Sequence, residues 1–338
     1  MGSVKEIDGL TTLAKTLVDI DSTTGREAQL GQWLVECLSD RGYIVNKQPV
    51  SEGRFNIFAS LNVPPRVVFS THFDCVPPFF PSRQGDGILF GRGACDAKGI
   101  LASQIVAGDR LRALGEERFG LLFLVGEERG SDGAKVANEN APTDVLFLIN
   151  GEPTDNRLGS ATRGTLRIHL RAVGRAAHSS FPELGESAID KLLDALMVIR
   201  GLTLPEDPLL GRTHYSVGLI EGGVAPNVIS PLATAELLFR TVGEGFKIVE
   251  VLKVVERLVT CKLVMEVPAV RMYTVPDFET AVFPYTTDVP LLTRWGRPLL
   301  LGPGSIHVAH TDNEHVSSAE LLLAVDCYVT LAQQLLKN

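Results

Sequence analysis

Six side chains of this 338-residue chain pose one charge problem. His72 and Asp74 follow the apolar run Val67–Ser70, Asp96 lies in the Gly-rich turn Gly91–Gly99, Glu127 and Glu128 follow Leu121–Val125, and Glu152 follows Val145–Ile149. Three apolar runs thus release carboxylate or imidazole at their carboxyl ends, where open α/β sheets build their sites. One such case would mean little, because charged residues often mark strand ends. Together they bring five carboxylates and one imidazole to one crevice, and like charges that close cannot all stay ionised without a cation. Metal ions are the simplest cation, and carboxylate and imidazole ligands without thiolate suit zinc, manganese or cobalt. A bridging carboxylate with two further ligands on each ion would give a two-metal site about 3.5–4 Å across, suited to hydrolysis. Taken singly, Asp96 also reads as a turn residue beside Gly93, and Glu127–Glu128 as a solvated pair.

The elements that must position these groups are legible in outline. Leu10, Leu13, Leu17 and Ile20 follow helical spacing, and Leu30, Trp33, Leu34 and Leu38 repeat it after Gly25. Continuous apolar runs such as Val67–Phe69 suggest strands buried on both faces, and strands at 55–61, 66–70, 121–125 and 145–149 alternate with a helix at 99–114. From Gly164 the texture changes: Leu166, Ile168 and Leu170 alternate with Arg167, His169 and Arg171, as in a strand with one wet face. A helix at 187–200, strands at 213–220 and 233–240, a helix at 243–259 and a strand at 262–267 complete a β-α-β-β-α-β order, the split βαβ pattern of a ferredoxin-like sandwich. A long helix at 317–336 closes the chain. The expected fold is therefore α/β, a helix-covered, mostly parallel sheet formed by residues 1–163 and 275–338. An inserted ferredoxin-like α+β domain, residues 164–274, is expected to serve as lid and dimerisation unit.

Composition narrows the function classes. The chain is 45% hydrophobic and 21% charged, ordinary for a globular enzyme, and 32 Lys and Arg against 40 Asp and Glu give a net charge of −8. An acidic chain without a basic stripe makes nucleic acid an unsuitable partner. No uninterrupted apolar run reaches the roughly 18–20 residues of a membrane span, and the opening Met-Gly-Ser-Val-Lys-Glu has no hydrophobic signal region, so a cytoplasmic protein with no membrane partner is expected. Five scattered cysteines without a C-x-x-C exclude a disulfide scaffold and a thiolate zinc site; Cys75 and Cys95 read as small packing residues. Asp96 stands where a dinucleotide fingerprint starting at Gly91 needs its third glycine, and neither a P-loop nor a G-x-S-x-G elbow occurs. His310-Thr-Asp-Asn-Glu314-His315 has one residue too many for a zinc-protease helix.

In order, His72-x-Asp74, Gly91-Arg-Gly-Ala-Cys-Asp96-Ala-Lys-Gly99, Gly126-Glu127-Glu128, Gly151-Glu152-Pro153 and Gly302-Pro-Gly304 with Ala309-His310 resemble the acetylornithine deacetylase / succinyl-diaminopimelate desuccinylase / carboxypeptidase G family of dinuclear zinc amidohydrolases. The resemblance runs from about residue 10 to the end. It implies that two divalent ions, zinc or else cobalt or manganese, are bound, with Asp96 bridging. His72 and Glu152 would complete one shell, Glu128 and His310 the other. Asp74 would orient His72, and Glu127 would be the general base. In the inserted domain, Gly174-Arg-Ala-Ala-His178 resembles a segment whose His reaches the partner subunit's site to stabilise an oxyanion, implying a homodimer. Asn227 matches a substrate-contacting Asn, and Arg240 an Arg that pairs with the substrate carboxylate.

The segment Gly302–Glu314 and the upstream Thr286-Thr-Asp288-Val-Pro look closest to the acetylornithine deacetylase branch. Gly302 and Gly304 are expected to offer backbone N–H groups to a carboxylate. The implied substrate is a small N-acyl L-amino acid, N-acetyl-L-ornithine of arginine biosynthesis first. N-acetylcitrulline, N-acyl-lysine and N-succinyl amino acids stay open, as does a metallo-dipeptidase or aminopeptidase of the same fold. A metabolite-binding relative without catalysis would not need Glu127, and two-metal phosphoryl chemistry would want an Arg/Lys clamp that the motifs lack.

Overall fold

The computed structural model describes residues 4–337; the opening Met1–Ser3, read above for a signal region, and Asn338 lie outside the described residues. The central sheet has six strands: β1 (Ile44–Ser51), β2 (Arg54–Ser60), β3 (Val67–His72), β4 (Phe119–Leu124), β5 (Phe147–Asn150), and one from late in the chain, β10 (Arg297–Leu300). Their order is β1-β2-β4-β3-β5-β10. The last four run parallel, and the β1–β2 hairpin joins β4 antiparallel. Alternation explains why β3 and β4 read as unbroken apolar runs. Val67, Phe69, Leu121 and Phe123 face one core and Val68, Leu122 and Leu124 the other, each buried side chain contributing about 1.5–3 kcal/mol. Helices α1 (Val4–Asp19), α3 (Lys98–Ala113) and α7 (Ser318–Leu336) cover the first face. On the second, α4 (Asp132–Glu139) packs with Trp295, whose indole N–H donates to the Ala137 carbonyl at 3.1 Å. Helix α2 (Ala28–Asp40) lies on β2.

Helix α7 has the length and hydropathy of a membrane span. Its Leu321, Val325, Tyr328, Leu331 and Leu335 are nevertheless buried in the main core. It starts at a capping box in which the Ser317 hydroxyl accepts from the Glu320 N–H and the Glu320 carboxylate accepts from the Ser317 N–H.

A second compact unit comprises Ala161–Arg271 and Val282–Thr286. Its sheet joins β6 (Gly164–Val173), β7 (His214–Gly222), β8 (Leu232–Thr241) and β9 (Thr260–Val267) in the order β7-β8-β6-β9, antiparallel throughout. With α5 (Ala188–Arg200) crossing from β6 to β7, this is the split βαβ arrangement. Leu166, Ile168 and Leu170 face a core shared with Leu192, Ile199, Leu237 and Phe239, while Arg167 and Arg171 on the opposite face are exposed. Two expectations differ in detail. The helix expected over 243–259 is confined to α6 (Phe246–Leu252) and one 3₁₀ turn to Val255, in keeping with the weak helix preference of its many valines. The segment Val282–Thr286, which begins within the strand Thr280–Phe283, belongs to this unit because Val282 packs beside Ala161, Leu210 and Val242, and the Phe283 carbonyl accepts from the Arg163 N–H at 3.1 Å.

Candidate metal centre

His72 is the last residue of β3, Glu127 and Glu128 lie three and four residues past β4, and Glu152 lies two past β5. Parallel strands end on the same side, so these groups meet at one sheet edge. Asp96 reaches them from the turn before α3, whose Asp96–Ala97 peptide is cis. Its two carboxylate oxygens receive one imidazole each: His72 Nε2 stands 3.0 Å from Oδ1, and His310 Nε2 stands 3.3 Å from Oδ2. His310 Nε2 also lies 2.9 Å from Glu128 Oε1. One ligand atom each from His72, Asp96 and Glu128 falls within 4.8 Å of the other two. Such convergence of an imidazole and two carboxylates on a shared point is what a divalent cation requires.

Asp74 organises the other side. Its backbone carbonyl accepts from His72 Nδ1 at 3.1 Å, nearer than its carboxylate at 3.5 Å, which orients the ring so that Nε2 is aimed at Asp96. The buried carboxylate meanwhile accepts from the N–H groups of Glu127 and Glu128, at 3.1 and 3.3 Å, and from the Thr24 hydroxyl at 2.8 Å. Glu127 and Glu128 sit in a 3₁₀ turn bounded by Gly126 and Gly130 at φ 75° and 98°, a backbone state that disfavours other residues. Arg54 braces this turn from behind by pairing with both Glu27 and Asp132. His310 itself is left-handed at φ 64°, an uncommon state for a non-glycine residue.

The electrostatics state the charge problem in full. Burial, then the Glu152 charge, pushes Glu127 well above the usual carboxylate range, and burial does the same to Glu152 and, less strongly, Glu128. Burial would also raise Asp96, but the His310 and His72 hydrogen bonds outweigh it and hold that carboxyl well below its ordinary value. Hydrogen bonds to Asp96 and Glu128 push His310 up to about 10; for His72, bonds to Asp74 and Asp96 overcome burial. Among the described residues, Glu152 Oε1 is buried without a hydrogen-bond partner. An all-oxygen and imidazole donor set holding an orphaned carboxylate oxygen fits hard or borderline divalent ions.

Asp288 was not singled out from the sequence, where it is one Asp in a Thr-Asp-Val-Pro stretch. It is buried, and burial, outweighing the opposing pull of the Ser131 side chain, pushes it up to about 7. Its charge acts on both Glu127 and Glu152, so it belongs to the same cluster.

The structure corrects the expectation for Gly302. Its N–H donates to Thr154 Oγ1 at 2.9 Å and its carbonyl accepts from the Thr154 and Asn156 N–H groups, so it has no amide to offer a substrate. A Cβ there would strike the Glu152 carbonyl; the glycine admits the Glu152 strand end. Gly304, at φ 76°, packs against Cys95 Sγ. Both Cys75 and Cys95 are buried, and burial raises their thiols, so neither is a ready thiolate.

In the second unit, His178 and Asn227 are brought together. The Ser179 N–H donates to the Asn227 carbonyl at 3.0 Å and the Ile229 N–H to the Ala177 carbonyl at 2.9 Å, and both His178 and Asn227 are exposed. Arg240 is half-buried, its Nη1 donates to Thr165 Oγ1 at 2.8 Å, and among the described residues it pairs with no carboxylate. Burial pulls this guanidinium below its ordinary value.

A parallel-edged α/β sheet that gathers acids and imidazoles at its carboxyl end, with a ferredoxin-like insertion, defines the class of metal-dependent hydrolases. More particularly, the chain belongs to Peptidase family M20/M25/M40, whose model matches residues 68–334. It is thus a hydrolase of a metallopeptidase family. It is 36% identical over 334 residues to a Peptidase M20 domain-containing protein of Schizosaccharomyces pombe, covering 95% of this chain and 83% of that one. A probable carboxypeptidase of Aspergillus fumigatus is 37% identical over 380 residues, covering 96% and 86%. Among solved structures, a tripeptidase of Staphylococcus aureus shares the fold at a TM-score of 0.82 and 20% identity, covering 98% and 99%. A dinuclear metal-binding M20 peptidase of Bacillus subtilis does so at 0.76 and 15%, covering 99% of each chain.

Proposed function

We propose that this chain is a two-metal peptidase that hydrolyses the amide bond of a short peptide with a free carboxylate. The observation that carries the reading is Asp96 with one imidazole on each carboxylate oxygen, the arrangement of a carboxylate shared by two ions. His72 and Glu152 would hold one ion with it, Glu128 and His310 the other. Such ions supply Lewis acidity and lower the pKa of a shared water. Glu127, fixed by the Asp74 grip on its N–H, takes the proton from the attacking water and delivers it to the leaving amine. Arg240, half-buried and without an acid partner among the described residues, supports a substrate with a free carboxylate.

The peptidase names of relatives at 36–37% identity favour peptides over acyl amino acids. Deacylation of N-acetyl-L-ornithine is the second reading, favoured by the segment Gly302–Glu314. We further propose a homodimer through the inserted unit, with His178 acting on the partner's substrate. Its support is a wet edge strand: Val217, Leu219 and Ile220 of β7 and Leu193 and Met197 of α5 are all exposed.

The test is metal content of protein purified without chelator, with hydrolysis measured on di- and tripeptides, their C-terminal amides, and N-acyl amino acids including N-acetyl-L-ornithine. Two ions per chain with cleavage of free-carboxylate peptides supports the first reading. Turnover of acyl amino acids alone moves the function to the second. Absence of metal after reconstitution with zinc or cobalt refutes both.

A further inference from the structure

Two of the candidate ligands, Asp96 and His310, are carried by loops far apart in sequence, and one buried ion pair ties those loops together. Glu314 and Arg92 are both buried, and Arg92 Nη1 donates to Glu314 Oε2 at 2.6 Å. The other oxygen, Oε1, accepts three backbone N–H groups of the Asp96 turn: Gly93 at 2.9 Å, Cys95 at 3.2 Å and Asp96 itself at 3.0 Å. Three N–H groups pointing at one spot form an anion-binding nest, and here a side chain of the same protein fills it. Arg92 Nη1 also donates to the carbonyl of Thr311, the residue after His310, at 3.2 Å, and its Nε donates to the Pro78 carbonyl at 3.2 Å. Sheet pairing sets the register, because His315 lies opposite Phe90 and the Gly91 N–H donates to the Glu314 carbonyl at 3.1 Å. The sequence His310-Thr-Asp-Asn-Glu314-His315, which fails as a zinc helix, thus serves a different purpose.

We propose that Glu314 is a positioning residue of the metal centre: with Arg92 it fixes the Asp96 turn against the His310 loop, so that the carboxylate and imidazole face one another before an ion binds. The inference rests on the reading of Asp96 and His310 as metal ligands. It concerns geometry and not contact, since Glu314 is directed at backbone N–H groups and at Arg92.

The informative variant is Glu314→Gln, which keeps an oxygen for the three N–H groups and loses the charge that pairs with Arg92. Glu314→Ala removes both, and Arg92→Lys, which keeps the charge and loses the forked geometry, substitutes if the Glu314 variants do not fold. Each is compared with the wild type by competitive titration of both ions, by the visible spectrum of the cobalt(II)-loaded protein, by kcat and KM, and by melting of the chelated protein. The expected result is a weaker second ion by about 10–100-fold, the size typical of outer-sphere positioning, with an altered cobalt spectrum. Lowered kcat at unchanged KM is expected alongside, Gln being milder than Ala. A lower melting temperature with unchanged cobalt spectrum, ion affinity and kcat would show a merely structural pair and overturn the proposal. Failure of the wild type itself to bind two ions overturns the ligand reading and this inference with it, and is told apart because it needs no variant.

Discussion

A carboxylate with an imidazole on each oxygen, as Asp96 has, is oriented from both sides, and its neighbours must be oriented in turn. Glu127 is the residue whose removal should separate binding from turnover. Glu127→Gln is expected to keep both ions, measured by elemental analysis, while kcat falls by roughly 10²–10⁴-fold, the range for losing a general base. Loss of metal with activity merely halved would sink that role. The buried acids also make a pH prediction for the chelated protein. An acid whose folded pKa is raised holds its proton longer when folded, so its stabilising contribution fades as pH climbs from the unfolded value to the folded one. For Asp288 that window runs from 3.8 to about 7. His310, raised from 6.5 to about 10, contributes stability below 6.5 that is lost toward 10. Both slopes have the same sign, so the melting temperature of chelated protein should fall steadily from pH 5 to pH 9, judged by scanning fluorimetry. Asp288→Asn should flatten the acidic half of that decline. A chelated protein more stable at pH 8 than at pH 5 would contradict the cluster's electrostatics.

Among the elements, those that reveal themselves in sequence are the ones buried on both faces. Strands β3 and β4 announce themselves by unbroken apolar runs, and the acids behind them are readable as strand-end residues. Strand β1 is silent: it is a largely exposed edge, so solvent and not packing selects its residues. Asp288 was illegible for a related reason, since nothing in a short loop shows which distant strands will close over it. Gly302 was misread because a glycine beside a site suggests an exposed amide, whereas the close approach it permits is to the Glu152 backbone. Gly302→Ala should therefore displace the Glu152 strand end and lower stability by about 1–3 kcal/mol. It should weaken one ion in a metal titration; unchanged affinity would restore the substrate-facing view. Asp74→Asn tests the neighbouring strand end. An amide nitrogen put where the carboxylate faces the Glu127 and Glu128 N–H groups makes donor meet donor, so it should be no better than Asp74→Ala in kcat.

At the scale of the whole molecule, the prediction concerns two copies. If His178 serves the partner's site, mixing Glu127→Gln and His178→Ala protein should restore turnover, because a mixed dimer holds one site with both residues intact. A site served by its own His178 gains nothing from mixing. The division into two units also bears on how the protein is made. Ligand candidates His72 to Glu152 precede the insertion, whereas β10, His310 and the Glu314–Arg92 tie need residues beyond Thr286. On the ribosome, the inserted unit can fold while the catalytic sheet still lacks its last parallel strand. The second imidazole of Asp96, His310, thereby arrives only after the insertion is complete, and a chain truncated before Arg297 would lack both it and the Glu314 grip on the Asp96 turn.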